Sequence, residues 1–217
     1  MKGFVFASLI ALGATQAMAQ RGESNEWSLN LLVTGSGRYD FDGGAAARND
    51  GGFGIGASLS RNLSNYLAVG ADLTLGESDY RARIAPGTGN AGAAFDTSGR
   101  METAALRLHA TWYLLSGRVT PFLTGGAGVI FLDADIKSDP PANACWFYPW
   151  YGEVCGAAAP STTLARLNYG AGLGVRVDLP ERRGFIRAML GGEWIELSEA
   201  RGSVGYVQLR ADFGLRF

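Results

Sequence analysis

Two stretches of the chain hold residue types able to do chemistry. The first is LRLHATWYL, around His109, the only histidine in the sequence. Thr111 follows two residues later, so a base and a hydroxyl lie close together, and Glu193 or Glu102 could serve as the orienting acid of a triad. The second is CWFYPWYGEVC, which runs from Cys145 to Cys155, the two cysteines of the chain. Their separation suits a disulfide closing a short aromatic loop, worth about 2–3 kcal/mol where the geometry allows it. Two cysteines with no histidine nearby make a poor metal site. The glycine run GAGLGV, Gly170 to Val175, lacks the GxGxxG spacing and the strand–loop–helix setting of a phosphate loop. These motifs assign no catalytic, cofactor-binding or metal-ligating residue, so the elements that carry them decide their meaning.

The first nineteen residues, MKGFVFASLIALGATQAMA, hold one lysine, an apolar run and a small-residue Ala17-Met18-Ala19 ending. That is the layout of a secretory signal peptide, expected over 1–19 and cleaved before Gln20, and too short for a membrane span. An exported chain favours pairing of its two cysteines. Residues 20–217 are enough for one domain with a full core. A net charge of −1 gives no electrostatic case for nucleic acid.

Period two dominates the remainder. Trp27, Leu29, Leu31 and Val33 alternate with Ser28, Asn30, Leu32 and Thr34; Leu67, Val69, Ala71, Leu73 and Leu75 alternate with Ala68, Gly70, Asp72, Thr74 and Gly76. The same pattern recurs from Phe53, from Ala104, from Leu167 and over the terminal YVQLRADFGLRF, while 119–133 and 185–197 alternate less cleanly. About eight strands result, each near the ten residues of a tilted membrane-crossing strand. Short turns are expected at 62–65, 116–118 and 180–184, and longer links at 40–51, 79–99 and 134–162. That asymmetry marks an all-β, eight-stranded antiparallel up-and-down transmembrane β-barrel.

Alternation alone does not say which face is inside. A secreted ligand-binding barrel would place the apolar face inward. An eight-stranded barrel, however, has an interior only wide enough for side chains to fill it. The bulky face here is Trp, Phe, Tyr and Leu, and the other is Gly, Ser, Thr and Ala with arginines and carboxylates. Glycine weakens a solvated strand and suits a crowded wall. The bulky face therefore meets lipid. Inward then fall Asp72, Arg107, Arg176, Asp178, Arg187, Glu193, Arg210, Asp212 and Arg216, and buried charges must be paired. A lumen charge network that plugs and braces the barrel is expected. His109 and Thr111 also fall inward, as a structural pair, and Trp27, Trp112, Trp194, Tyr39, Tyr66 and Tyr169 are candidates for interfacial girdles.

These strands, the Gly-rich inward positions and the closing DFGLRF resemble the small OmpA/OmpX/opacity-like outer-membrane barrels of Gram-negative bacteria. The resemblance implies location in the cell outer membrane, a monomer among lipid and lipopolysaccharide, and insertion by the barrel-assembly machinery. It makes Phe213, Leu215 and Phe217 the assembly signal. It implies a structural or surface-interaction role without enzymatic activity, through loops such as 134–162, where an extracellular partner would sit. A narrow, porin-like channel is the alternative. Some such barrels are lipid A deacylases with a His-x-Ser pair, but His-x-Ser-Asn is missing here, and such a site must open onto lipid. The peptidoglycan-binding domain of larger OmpA-type proteins is not implied.

Overall fold

The computed structural model describes residues 22–40, 46–84, 95–136, 145–148, 152–155, 164–180, 183–196 and 203–217. The expected signal peptide lies outside them. The period-two stretches form β1 (Asn25–Thr34), β2 (Gly37–Asp40), β3 (Ala46–Asn62), β4 (Leu67–Ile84), β5 (Phe95–Tyr113) and β6 (Val119–Ile136), then the β7 (Cys145–Tyr148) and β8 (Gly152–Cys155) hairpin, and finally β9 (Leu164–Asp178), β10 (Gly184–Glu196) and β11 (Ser203–Arg216). β2 continues β1 beyond Gly35, whose amide still bonds Val207 of β11 at 2.7 Å, so the barrel wall has eight antiparallel staves. Each stave pairs with its neighbour in sequence, and β1 pairs with β3 on one side and β11 on the other. The sheet closes on itself and leaves no edge to satisfy in lipid.

Bulky apolar side chains point outward. Leu108 is 69% exposed, Trp112 61% and Leu29 57%, while Asp72, Arg176, Arg187, Arg210 and Asp212 are buried. This is the reverse of a ligand-binding barrel lined by apolar residues, and the outward face is solvated only if its solvent is lipid. Along β4 the outward apolar positions run from Leu67 to Leu75. At about 3.4 Å per residue and a tilt near 40° they span roughly 21 Å of membrane normal, close to the apolar band of such barrels.

The staves are longer than sequence periodicity indicated. β4 and β5 stay paired up to Ile84↔Phe95, inside the link expected at 79–99, and β3 starts at Ala46, inside the link expected at 40–51. The β7–β8 hairpin occupies part of the link expected at 134–162. The ladder continues where the outward apolar residues stop, because above the band the outside is water and the outward positions turn polar. The interior changes in the opposite sense. Tyr80, Met101, Ile130, Leu132, Leu164, Ile195 and Val204 form an apolar core inside this extension. An interior of small and charged residues alone is thus not what the barrel has: at the membrane level Tyr113, Phe122, Phe185 and Met189 are also buried among the charges. Ile130, Leu132 and Phe122 are buried on β6, which is why that strand reads apolar on both faces.

Candidate functional site: the barrel interior

Charged side chains from nearly every stave converge inside the membrane level. Near the end that carries the short turns, Arg176 of β9 is fully buried and makes a bidentate contact to Glu26 of β1, Nη1 to Oε2 and Nη2 to Oε1, both 2.8 Å. Its Nε donates to Asp178 at 2.8 Å and its Nη1 to the Tyr113 hydroxyl at 2.9 Å. The guanidinium also lies 4.0 Å from the Phe185 ring centroid. Gly214 is needed there, because a Cβ at that position would collide with the Phe185 ring. Arg216 completes the group, 3.0 Å from Asp178 and 3.4 Å from Glu26, and the Asn62 amide donates to Glu26 at 2.8 Å.

A second group sits at mid-height. Arg210 of β11 donates to Asp72 of β4 and to Asp212, both at 2.8 Å, and to Ser58 at 2.7 Å. The Ser58 hydroxyl in turn donates to Asp72. Arg187 approaches Asp212 at 3.4 Å, and its Nη2 donates to Ser28 at 3.2 Å. Arg107 of β5 reaches Asp72 at 3.6 Å and Glu193 of β10 at 3.4 Å, while the Asn168 amide holds the other Glu193 oxygen at 2.6 Å. Three of these links, Arg176 to Glu26, Arg210 to Asp72 and Arg107 to Glu193, join staves three places apart in the barrel order, so they cross the lumen. Cavities of about 30 and 60 Å³ remain beside the mid-height group, room for a few waters each.

All nine charged residues that alternation places inward lie in these two groups. Glu26, the acceptor at the centre of the lower group, is the one that sequence reasoning missed, together with Ser58, Asn62, Tyr113 and Asn168. Its signal was present: Glu26 stands two residues before Ser28 and four before Asn30 on the same face. Each group balances its charge, two arginines with Glu26 and Asp178 below, and Arg107, Arg187 and Arg210 with Asp72, Glu193 and Asp212 above.

His109 lies in the mid-height group, its Nδ1 3.0 Å from Asp72. It is fitted between glycines of the two adjacent staves: a Cβ on Gly70 would come within 2.9 Å of its Cε1, and one on Gly126 within 3.0 Å of its own Cβ. Neither expected acid orients it. Glu102 faces outward and is exposed, and Glu193 is engaged by Arg107 and Asn168. The Thr111 hydroxyl donates to Thr124 at 3.2 Å. Asp72, held between arginines, takes the acid's place, which makes the ring part of the charge network.

Of the aromatic residues, Trp27, Tyr66 and Trp112 are exposed around the rim that carries the short turns, and Tyr169 and Trp194 stack with centroids 5.9 Å apart farther along the wall. The Tyr39 side chain lies outside the described residues. On β11, Phe213, Leu215 and Phe217 face outward. Cys145 and Cys155 are direct partners in the β7–β8 ladder; their side chains lie outside the described residues. Among the described residues no group of three or more His, Cys, Asp or Glu could hold a metal ion.

A family model described as the outer membrane protein beta-barrel domain matches residues 6–217. Among solved structures, the chain is similar to OprG, an outer-membrane protein of Pseudomonas aeruginosa, at 12% identity and a TM-score of 0.55, covering 92% of this chain and 98% of that one. It is also similar to the neisserial surface protein NspA, at 12% identity and a TM-score of 0.51, covering 88% and 97%. The outer-membrane protease OmpT of Escherichia coli matches at 10% identity and a TM-score of 0.44, covering 94% and 100%. These likenesses are of fold alone. A search of curated proteins gave no match.

Proposed function

Because the chain belongs to the outer membrane protein beta-barrel domain family, we propose that it is a non-enzymatic protein of a Gram-negative outer membrane, structural in its barrel and surface-interacting in its extracellular loops. The observation that carries this is the lumen. Arginine–carboxylate struts cross it at two heights, and an apolar core fills it above them. A pore needs a continuous aqueous path, and the paired, buried charges with the apolar layer above them count against one. His109, set beside Asp72 and enclosed by Gly70 and Gly126, belongs in this reading to the brace.

Several further assignments belong to this reading. Residues 1–19 are the signal peptide and 20–217 the barrel, a monomer surrounded by lipid and lipopolysaccharide. Phe213, Leu215 and Phe217 on the closing stave present the signal read by the barrel-assembly machinery. Cys145 and Cys155 form a disulfide at the base of the loop at 134–162, whose aromatic tip meets an extracellular partner.

The test is conductance. The purified chain, refolded in detergent and shown to shift in gel mobility on heating, is added to planar bilayers. The expected result is a silent membrane; discrete, reproducible channel openings would replace the plugged-barrel reading with the porin-like one.

A further inference from the structure

The outward face above the apolar band carries charge in ordered rows. Reading across the ladders, Arg38 of β2 pairs with Arg48 of β3, and Arg48 with Arg81 of β4. Three arginines thus stand side by side across the ladders, where like charges directly opposite each other oppose strand pairing. Asp50 is shared by two of them, 2.6 Å from Arg81 and 3.6 Å from Arg48, so that pair has one more cation than anion. The arginine side chains stay in solvent, 65% exposed for Arg48 and 73% for Arg81. Arg83 stands one outward position above Arg81, is 75% exposed and lies 4.0 Å from the similarly exposed Asp96.

The arrangement is built by a bulge. Between Asn49↔Tyr80 and Gly52↔Ser78 the β3–β4 register shifts, and Gly51 takes a φ of 94°, a left-handed conformation suited to glycine. Below the bulge the odd-numbered residues Phe53 to Leu59 face outward; above it the even-numbered Arg48 and Asp50 do. Without the bulge, Arg48 would point into the apolar interior. Below the arginines lies a row of opposite sign, Glu77↔Glu102↔Asp133, directly above the apolar row Leu75, Ala104 and Phe131. Arg100 reaches Glu77 at 2.9 Å and leaves that row net negative, while the arginines stand two outward positions higher.

We propose that Arg48 and Arg81, flanked by Arg38 and Arg83, form a binding site on the outer wall for phosphoryl groups of the outer-leaflet glycolipid; the assignment rests on the outer-membrane reading above. The guanidinium fork suits phosphate oxygens. The site lies on the lipid-surrounded wall, roughly 10 Å of membrane normal above the acidic row (Glu77 to Arg81) and roughly 16 Å above the last apolar row (Leu75 to Arg81), at about 3.4 Å per residue and a 40° tilt. That is headgroup territory, where a phosphorylated sugar lipid brings anions to the wall without leaving the bilayer.

The test titrates the full refolded barrel in detergent with phosphorylated lipopolysaccharide and compares the same glycolipid after enzymatic removal of its phosphates. R48Q/R81Q is expected to bind the phosphorylated form about 30-fold more weakly and to lose the preference for it, whereas R48K/R81K retains part of both. Millimolar inorganic phosphate is expected to compete poorly; full displacement by it would mean a site for free anions and overturn the proposal. So would undiminished glycolipid binding by an R48Q/R81Q barrel that still shows the heat-dependent mobility shift. Absence of that shift in the unaltered chain would instead remove the membrane reading itself, and this site with it.

Discussion

Arg176 offers the sharpest test of the braced lumen. It is fully buried and supplies both short contacts to Glu26, one to Asp178 and one to Tyr113. Arg176→Met keeps most of the volume and removes all four. Asp178 then retains Arg216 at 3.0 Å, but Glu26 is left with the Asn62 amide and Arg216 at 3.4 Å. Removing one partner of a buried pair costs about 3–5 kcal/mol, mostly through the charge left behind, and the residual reach of Arg216 places this case near the lower figure. In urea titrations of vesicle-inserted barrel, followed by the heat-dependent mobility shift, about 3 kcal/mol lowers the midpoint by about 1.5 M at a slope near 2 kcal/mol per molar. The diagnostic partner is Glu26→Gln in the Arg176→Met background. It neutralises the stranded carboxylate while keeping its shape, so the double variant should recover most of the loss. A single variant that loses under about 1 kcal/mol, or a double variant that adds the two losses, would refute the strut and leave Arg176 as packing only.

Three other outcomes follow from particular positions. Without reductant, Cys145 and Cys155 should resist alkylation, and Cys145→Ser with Cys155→Ser should leave barrel stability unchanged, because the β7–β8 hairpin is a separate two-stranded sheet; ready labelling of both thiols would remove the disulfide. Phe217→Ala should lower the amount of folded barrel in cells while refolding in detergent stays normal, since the side chain faces outward and braces nothing in the lumen; equal cellular levels would remove the assembly-signal assignment. His109→Ala should leave lipid A acyl chains unaltered in a mass-spectrometric assay yet lower the urea midpoint, because it opens space between Gly70 and Gly126 and withdraws a neighbour of Asp72; altered acyl chains would reopen the enzymatic reading.

The sequence carried the membrane-level barrel well because lipid imposes one rule on the outer face of every stave, bulky and apolar, while the inside is small or paired except where Tyr113, Phe122, Phe185 and Met189 fill it. Strands built from Leu67–Leu75 or Val207–Phe217 obey it at each position, and the register of the structure preserves it. Glu26 escaped because it lies at the very start of its strand, although its alternation with Ser28 and Asn30 extends the inward face to it. The pairing of Arg176 with Glu26 was beyond reach in any single sequence, since it joins residues 150 apart across the barrel. Which carboxylate meets which arginine depends on stagger and tilt, and alternation fixes only the face.

The upper staves failed to register as strands for a different reason, and it ties the barrel to the proposed glycolipid site. Residues such as Asp79, Arg81 and Arg83 alternate with Tyr80 and Ala82, which is the pattern of a strand with an apolar inside and a wet outside. Against a lipid-facing template the same residues look like a polar loop. The polarity inverts at the level of Phe53, Glu77, Glu102 and Asp133, because there the external solvent changes while the hydrogen-bonded ladder does not. The inversion is then a depth gauge written into each stave. On β3 the bulge at Asp50–Gly51 moves Arg48 outward and keeps Ala47 inside. A barrel needing only to cross the membrane could end its staves at the band. Carrying the ladder on packs an apolar layer above the charge struts and carries the arginines up the outer wall, so one extension serves both the plugged lumen and the glycolipid site proposed above.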